Sequence, residues 1–295
     1  MKKILQLKAA ILVNDLKMKI GVFITARLKS SRLKQKILLD LNGVSILDRV
    51  IDRCKSIAGA DGVVLCTSVN PQDSILYDNA LNNNIQFFAG SEDDVLDRLL
   101  AAADYYGYDG FVSITADNPL FSFYYAQLAV DWYKQQKHDF IFIKGLPIGC
   151  ATYFLNTNAL RIANKMKKES NTEIWGPFVN RPDFFSIGEL VINGSPFDEK
   201  YRLTCDYSED YELLRKIYSY FPTDAIPEVH DVFDILLKEK ELLKINAERK
   251  QIAVDEKVLG AIRDNFDKQN KNGKEYAASI GKILTPGLEI LKVDY

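Results

Sequence analysis

Residues 20–36 read IGVFITARLKSSRLKQK, an apolar run followed by a loop that is crowded with cations and holds two serines. The apolar part predicts the first buried strand of a sheet. A basic, hydroxyl-rich loop at the carboxyl end of such a strand is where an open α/β sheet holds phosphate groups, because its cations and amides neutralise and bind the oxygens. The alternative is a solvated basic turn, since runs of charge are often only surface.

Downstream of this loop, short apolar strands alternate with amphipathic helices, which is typical of an α/β sheet with mainly parallel strands. Ser45 and Asp94 are predicted to cap the helices that follow them. Strands are predicted at residues 20–25, 62–67, 85–88, 110–115, 139–143, 151–155, 184–192 and 201–205. Later helices are predicted at 159–168, 208–220 and 228–240.

The 295 residues suit one large domain with additions at its ends. We predict an N-terminal extension at residues 1–17, a catalytic domain at 18–245, and a separate, helical C-terminal appendage at 246–295. The appendage is charged and follows the last strongly periodic helix.

Composition excludes several classes of protein. The 38 lysines and arginines against 40 aspartates and glutamates give a net charge of −2, which argues against a general nucleic-acid binder. Four widely spaced cysteines and two histidines form no zinc or disulfide pattern, so we expect reduced, buried thiols and a cytoplasmic protein. No apolar run is long enough for a membrane span.

Two aspartates are predicted at the same edge of the sheet as the basic loop. Asp117 lies two residues after the end of the strand predicted at 110–115, and Asp206 directly follows the one predicted at 201–205. Mg²⁺ is usually held by one or two carboxylates together with substrate phosphates, so this pair predicts a magnesium site. The alternative for Asp117 is a cap on the next helix, and Asp210, four residues after Asp206, is expected to cap the helix that it begins.

Five short motifs, in this order along the chain, resemble one known family. The loop Ala26-Arg27-x-x-Ser30-x-Arg32-Leu33-x-x-Lys36 resembles the AR-x-x-S-x-R-L-P-x-K loop of the SpsF-like and acylneuraminate/KDO cytidylyltransferases. The other motifs lie at residues 67–73 (TSVNPQD), 90–98 (GSEDDVLDR), 117–120 (DNPL) and 202–210 (RLTCDYSED). Together they span about residues 19–220 in register.

The resemblance implies a three-layer α/β/α nucleotide-diphosphosugar-transferase fold, GT-A-like and Rossmann-like, with a mainly parallel central sheet. It implies a Mg²⁺-dependent enzyme that couples CTP to an acidic 2-keto sugar for surface polysaccharide biosynthesis, with a CMP-sugar and pyrophosphate as products. The nucleotide-binding residues that it implies are Ala26, Arg27, Ser30, Arg32, Lys36, Thr67, Arg98 and Asp117. It gives catalytic roles to Arg27, Arg32 and Lys36, and makes Asp117 and Asp206 the Mg²⁺ ligands. It also suggests a homodimer joined through residues 145–200.

The chain departs from the family pattern at four places, one of which is Asn118, where relatives commonly have cysteine, glycine or serine. Lys34 stands where the loop usually has proline, Tyr153 stands at a glutamate position, and the segment 173–178 lacks a histidine. The last two leave the acceptor open, because that region faces the acceptor sugar in relatives.

Other functions therefore remain as alternatives. They are a nucleotidyltransferase for another nucleotide or a sugar 1-phosphate, a GT-A glycosyltransferase, and a nucleotide-binding domain without turnover. A glycosyltransferase normally has a D-x-D metal motif after a strand, and neither 117–119 nor 206–208 supplies one.

Overall fold

A computed structural model describes residues 18–30, 32–252 and 255–295 of the chain. The N-terminal extension predicted at residues 1–17 lies outside the described residues.

The basic loop leaves a strand in the interior of the sheet. That strand, β1 (Ile20–Thr25), pairs in parallel with β2 (Gly62–Ser68) on one side and with β4 (Gly110–Thr115) on the other. Because β3 (Gln86–Gly90) pairs with β2, the chain moves outward from β1 to β3 and then returns to the opposite side of β1. The crevice outside the carboxyl ends of β1 and β4 is therefore a topological switch point, where open α/β sheets bind ligands.

Beyond β4 the sheet contains one reversed strand. β6 (Tyr153–Asn156) pairs antiparallel with both β4 and β5 (Phe140–Lys144). β7 (Ser186–Asn193) and β8 (Gly287–Asp294) then extend the sheet in parallel. The described residues thus form one eight-stranded sheet in the order β3-β2-β1-β4-β6-β5-β7-β8, which confirms the mainly parallel sheet that the sequence predicts.

Helices cover both faces of this sheet and form two hydrophobic cores. One core contains residues of α1 (Ile46–Lys55), α2 (Leu76–Asn82), α4 (Phe123–Gln136), α7 (Ser208–Tyr218) and α8 (Val229–Lys238). The other contains residues of α3 (Val95–Tyr106), α5 (Thr157–Met166), α6 (Gly176–Val179) and α9 (Glu256–Ser279). Strand β1 contributes Val22 and Ile24 to the first core and Phe23 to the second, as the alternation of side chains along a strand requires. The three-layer α/β/α fold is confirmed.

Local predictions also hold at the helix starts. Ser45 Oγ accepts a hydrogen bond from the amide of Asp48 (3.0 Å), and Asp94 Oδ1 accepts one from the amide of Asp97 (3.1 Å), so both residues cap helices. The four cysteines are free and buried, as expected. Within the described ranges, no helix is both long enough and apolar enough to cross a bilayer.

The strand predicted at residues 201–205 is wrong. Its backbone makes a single bridge, between Arg202 and Ile148, and no ladder. The amide of Cys205 donates to the carbonyl of Asp117 (2.9 Å). The backbone of this segment therefore forms hydrogen bonds with two loops near the switch point. The residue pattern at 201–205 does not distinguish such a segment from a strand.

The C-terminal part differs from a helical appendage. Helix α9 packs against α5 and α6, but β8 then pairs along its whole length with β7. The alternation of apolar and charged residues over 287–294 is interrupted at Ile290 and Leu291, so it does not indicate a half-buried strand, and both faces of this edge strand are largely exposed. The division of the chain into domains stays a prediction.

Candidate active site

The switch point holds a cavity of about 290 Å³. Its walls are the loop after β1, the turn after β4, the first turns of α3, and the segments that precede α6 and α7. The predicted residues that line it are Ala26, Arg27, Ser30, Arg32, Lys36, Arg98, Asp117 and Asp206. Thr67 is the exception, because its side chain is buried within β2 and does not reach the cavity.

Lys36 lies between the two predicted aspartates. Its Nζ is 2.6 Å from Asp117 Oδ2 and 2.8 Å from Asp206 Oδ1. Burial alone lowers the pKa of Lys36, but the negative charges of the two carboxylates outweigh burial and leave that pKa raised. The next residue, Ile37, is buried in the core and fixes the backbone from which the lysine extends. The ammonium group is therefore charged at neutral pH and held at the cavity wall.

Asp117 is held by its own turn and does not cap a helix. Its Oδ1 accepts a hydrogen bond from Thr115 Oγ1 (2.6 Å), whose oxygen in turn accepts one from Asn118 Nδ2 (2.7 Å). The following helix, α4, is capped by Ser122, whose Oγ accepts from the amide of Tyr125 (3.1 Å). The capping alternative for Asp117 is therefore wrong, and its carboxylate faces the cavity.

Asp206 has cationic partners on both sides. Besides Lys36, its Oδ1 lies 2.8 Å from Arg32 Nη2, and its Oδ2 lies 3.1 Å from Arg202 Nη2. Burial alone raises the pKa of Asp206, but the charge of Lys36 and the two arginines lower that pKa below its ordinary value of 3.8. The carboxylate therefore stays ionised well into the acidic range.

This lowered pKa predicts a pH dependence of folding. Because folded Asp206 binds its proton less tightly than the unfolded chain does, its contribution to the free energy of unfolding is complete above about pH 4 and is lost as the pH falls through the folded pKa. We expect the urea midpoint of the wild-type protein to fall more steeply between about pH 5 and pH 3 than that of Asp206→Asn. Parallel pH profiles for the two proteins would contradict this assignment.

A buried network behind the cavity orients Asp206. Arg202 Nη2 also lies 3.1 Å from Asp210 Oδ2, and Asn246 Nδ2 donates to Asp210 Oδ1 (2.8 Å). Asp210 Oδ2 accepts the amides of Asp206 (3.0 Å) and Tyr207 (3.1 Å), which places it at the start of α7. The predicted capping role of Asp210 is confirmed, and its charge also neutralises a buried arginine.

Asp210→Asn is expected to lower the free energy of unfolding by about 3 kcal/mol, because it leaves the buried Arg202 with one fewer charged partner and weakens two capping bonds. Urea unfolding at neutral pH measures this loss. Glu212→Gln, which breaks an exposed ion pair with Lys216 on the same helix, is the control and should cost less than about 1 kcal/mol. Equal losses in the two variants would contradict a structural role for the network.

The outer part of the basic loop is paired with glutamates. Arg27 donates to the carbonyl oxygen of Glu92 (3.0 Å) and forms an ion pair with Glu173. Lys29 Nζ lies 3.2 Å from Glu92 Oε1. The loop is therefore more than a solvated basic turn, because its cations pair with carboxylates, which phosphate oxygens can replace.

Buried polar residues support the loop from below. Asp73 accepts from the amide of Leu28 (2.8 Å) and from Ser68 Oγ (2.5 Å). Arg98 donates to the carbonyl oxygen of Ser91 (2.8 Å), and burial lowers its pKa. Lys34, which replaces the usual proline, is exposed and does not line the cavity.

A second cavity of about 710 Å³ adjoins the first. The two share Thr115, Glu173 and Trp175 as lining residues. Aromatic side chains form much of its wall: Tyr153 stacks on Phe140 with ring centroids 5.7 Å apart, and Trp175 meets Tyr153 edge-on at 5.4 Å. The sequence marks 173–178 only as a segment that departs from the family pattern, so Glu173 and Trp175 are absent from the predicted site residues.

The comparisons with known proteins agree with this geometry. A sequence model described as cytidylyltransferase matches residues 22–219. The chain is 30% identical over 236 residues to an uncharacterized protein of Methanocaldococcus jannaschii, covering 79% of this chain and 97% of that protein. It is 26% identical over 202 residues to the spore coat polysaccharide biosynthesis protein SpsF of Bacillus subtilis, covering 66% and 84%.

Solved structures give the same result. A cytidylyltransferase from Leptospira borgpetersenii superposes with a TM-score of 0.71 at 28% identity, covering 80% of this chain and 100% of that one. The CMP:2-keto-3-deoxy-manno-octonic acid synthetase complexed with CTP superposes with a TM-score of 0.54 at 14% identity, covering 68% and 99%, which shows a shared fold. The family match extends over most of the chain and includes the loop, Asp117 and Asp206, so the chain belongs to the cytidylyltransferase family.

Proposed function

We propose that this CTP-using nucleotidyltransferase transfers the cytidylyl group of CTP to a hydroxyl of an acidic 2-keto sugar. The observation that carries the proposal is the convergence of Lys36, Asp117 and Asp206 beside the basic loop, at the switch point of a cytidylyltransferase fold. In the reaction, an acceptor oxygen forms a bond to the α-phosphorus, and the bond from that phosphorus to the bridging oxygen breaks. Pyrophosphate leaves with the electron pair, and the hydroxyl proton is lost to solvent.

The basic loop supplies positioning and charge. Arg27 and Arg32 present planar, bidentate donors that match phosphate oxygens, and Ser30 adds a hydroxyl. Lys36, held at the cavity wall, is suited to stabilise the charge that develops on the leaving pyrophosphate. Because phosphoryl-type transfer needs little covalent help from the protein, most of the catalysis is orientation and charge neutralisation.

Asp117 and Asp206 fit a Mg²⁺ ion. Their oxygens already meet at one cationic atom, Lys36 Nζ, so both reach a common position at the cavity wall. Mg²⁺ usually takes only one or two protein carboxylates and completes its shell with substrate phosphates and water. When bound, Mg²⁺ would supply further charge neutralisation of the phosphates.

The acceptor class rests on the relatives. One is named for spore coat polysaccharide biosynthesis, and another is a synthetase for a CMP-activated 2-keto sugar acid. The same likeness supports our proposal of a role in surface polysaccharide biosynthesis, and the cytoplasmic location remains a prediction. The homodimer through residues 145–200 remains a proposal.

The test measures pyrophosphate release with Mg²⁺ from each of CTP, GTP, UTP and ATP, against a panel of 2-keto sugar acids and sugar 1-phosphates. We expect release with CTP and a 2-keto sugar acid. Release with a different nucleotide or a sugar 1-phosphate would overturn the stated specificity while keeping nucleotidyl transfer. CTP binding without release from any pair would favour a domain that only binds nucleotide.

A further inference from the structure

Glu173 lies on the boundary between the two cavities and lines both of them. On the first cavity's side it forms an ion pair with Arg27 of the basic loop. On the other side, Glu173 alone is charged among the described residues that line the second cavity, whose remaining lining is neutral and includes Phe140, Phe142 and Tyr153. One carboxylate is therefore within reach of both candidate substrates.

The backbone that carries Glu173 is fixed, whereas its side chain is free to change partner. The preceding residue, Thr172, donates from its amide to the carbonyl oxygen of Asp93 (3.0 Å) and from its hydroxyl to Asp94 Oδ1 (2.8 Å). The same hydroxyl accepts from the amide of Leu96 (2.9 Å), which ties the segment to the first turn of α3. The Glu173 side chain itself is 61% exposed. A rotation of this side chain needs no movement of the segment.

Arg27 has a stronger partner available than Glu173. A triphosphate carries several negative charges and offers oxygens that an arginine binds bidentately, so it outcompetes a single, exposed carboxylate. Once displaced, the carboxylate of Glu173 can only accept hydrogen bonds. The adjoining aromatic cavity suits a ligand with an apolar face and several hydroxyl donors, which is the character of a sugar ring.

We infer that Glu173 couples the two substrates. The nucleotide phosphates replace Glu173 as the partner of Arg27, and the released Glu173 carboxylate then positions the acceptor by accepting hydrogen bonds from the acceptor's hydroxyls. This inference rests on the proposed function. It predicts that CTP binds first and that the acceptor presents hydroxyls, with any carboxylate of its own directed away from Glu173. Glu173 is thereby a positioning residue and takes no part in bond making.

The first test needs neither acceptor nor turnover. Tripolyphosphate binding is measured by titration calorimetry for the full chain, Glu173→Gln and Asp104→Asn. Asp104 of α3 pairs with Arg161 of α5, outside both cavities, so this variant removes an arginine's carboxylate partner elsewhere. We expect Glu173→Gln to bind tripolyphosphate about 3- to 10-fold more tightly than the wild type, and Asp104→Asn to stay within about twofold. Equal affinity of Glu173→Gln and the wild type would overturn the displacement.

The second test separates the two Michaelis constants, with CTP and whichever acceptor supports pyrophosphate release. Glu173→Gln is expected to raise the KM for the acceptor about 10-fold while lowering or preserving the KM for CTP, a split that general damage to the fold does not produce. A raised KM for CTP with an unchanged KM for the acceptor would overturn the inference. If no acceptor supports release, the proposed function fails, and the tripolyphosphate titration still decides whether Glu173 competes for Arg27.

Discussion

Lys36→Met is expected to lower kcat for CTP-dependent pyrophosphate release by about 10³-fold. Methionine is similar in length to lysine and keeps the packing of the stem, so the variant mainly removes a charge. The lost ammonium group is the common partner of Asp117 and Asp206, at 2.6 and 2.8 Å, and the group suited to stabilise the leaving pyrophosphate. Steady-state kinetics with saturating CTP and Mg²⁺ measure the effect.

Lys34→Met is the matched control for this prediction. It makes the same chemical change two residues earlier, on an exposed side chain outside the cavity lining, and should alter kcat by less than about twofold. Lys36→Arg keeps the charge but replaces the compact ammonium group by a planar guanidinium group. It should therefore be more active than Lys36→Met but less active than the wild type. Equal losses in the Lys34 and Lys36 variants would show that loop charge alone matters and would remove Lys36 from its assigned role.

The sequence predicts the half of the site that follows from strand ends. A basic loop after 20–25 and an acid after 110–115 must meet if both strands are parallel neighbours, and they do. Asp206 lies in the cavity as the sequence predicts, but it does not follow a strand. It reaches the site because the amide of Cys205 bonds to the carbonyl of Asp117, and the predicted strand before it does not exist.

The features that the sequence does not predict depend on contacts between segments distant in sequence. Glu173 meets Arg27 only because Thr172 ties an irregular segment to α3, a contact that carries no periodic signal. Thr67 differs in the opposite way: its motif suggests a ligand contact, but its side chain is buried within β2 and is not part of the cavity lining. Strand β8 is not predicted because its short apolar alternation is interrupted at Ile290 and Leu291 and lies in a charged C-terminal segment.

Asp206→Asn is expected to abolish Mg²⁺-dependent turnover, with at least a 10³-fold loss of kcat, while the protein stays folded. Asparagine keeps the shape and one acceptor oxygen, Arg202 keeps Asp210, and Lys36 keeps Asp117. The stability loss should therefore be about 1–3 kcal/mol, which a typical domain tolerates.

The decisive measurement is kcat against Mg²⁺ concentration, with urea unfolding of the same samples. Glu209→Gln supplies the control, because it makes the same carboxylate-to-amide change in the first turn of α7, at an exposed ion pair with Arg249 outside both cavities. It should leave kcat within about twofold of the wild type. Because Asp206 pairs with Lys36, Arg32 and Arg202, removing its charge can also lower activity by displacing Lys36 and Arg32 alone. A purely positional effect would leave the Mg²⁺ dependence of the residual activity unchanged, whereas loss of a metal ligand shifts it to higher Mg²⁺. Unchanged activity would remove Asp206 from the site.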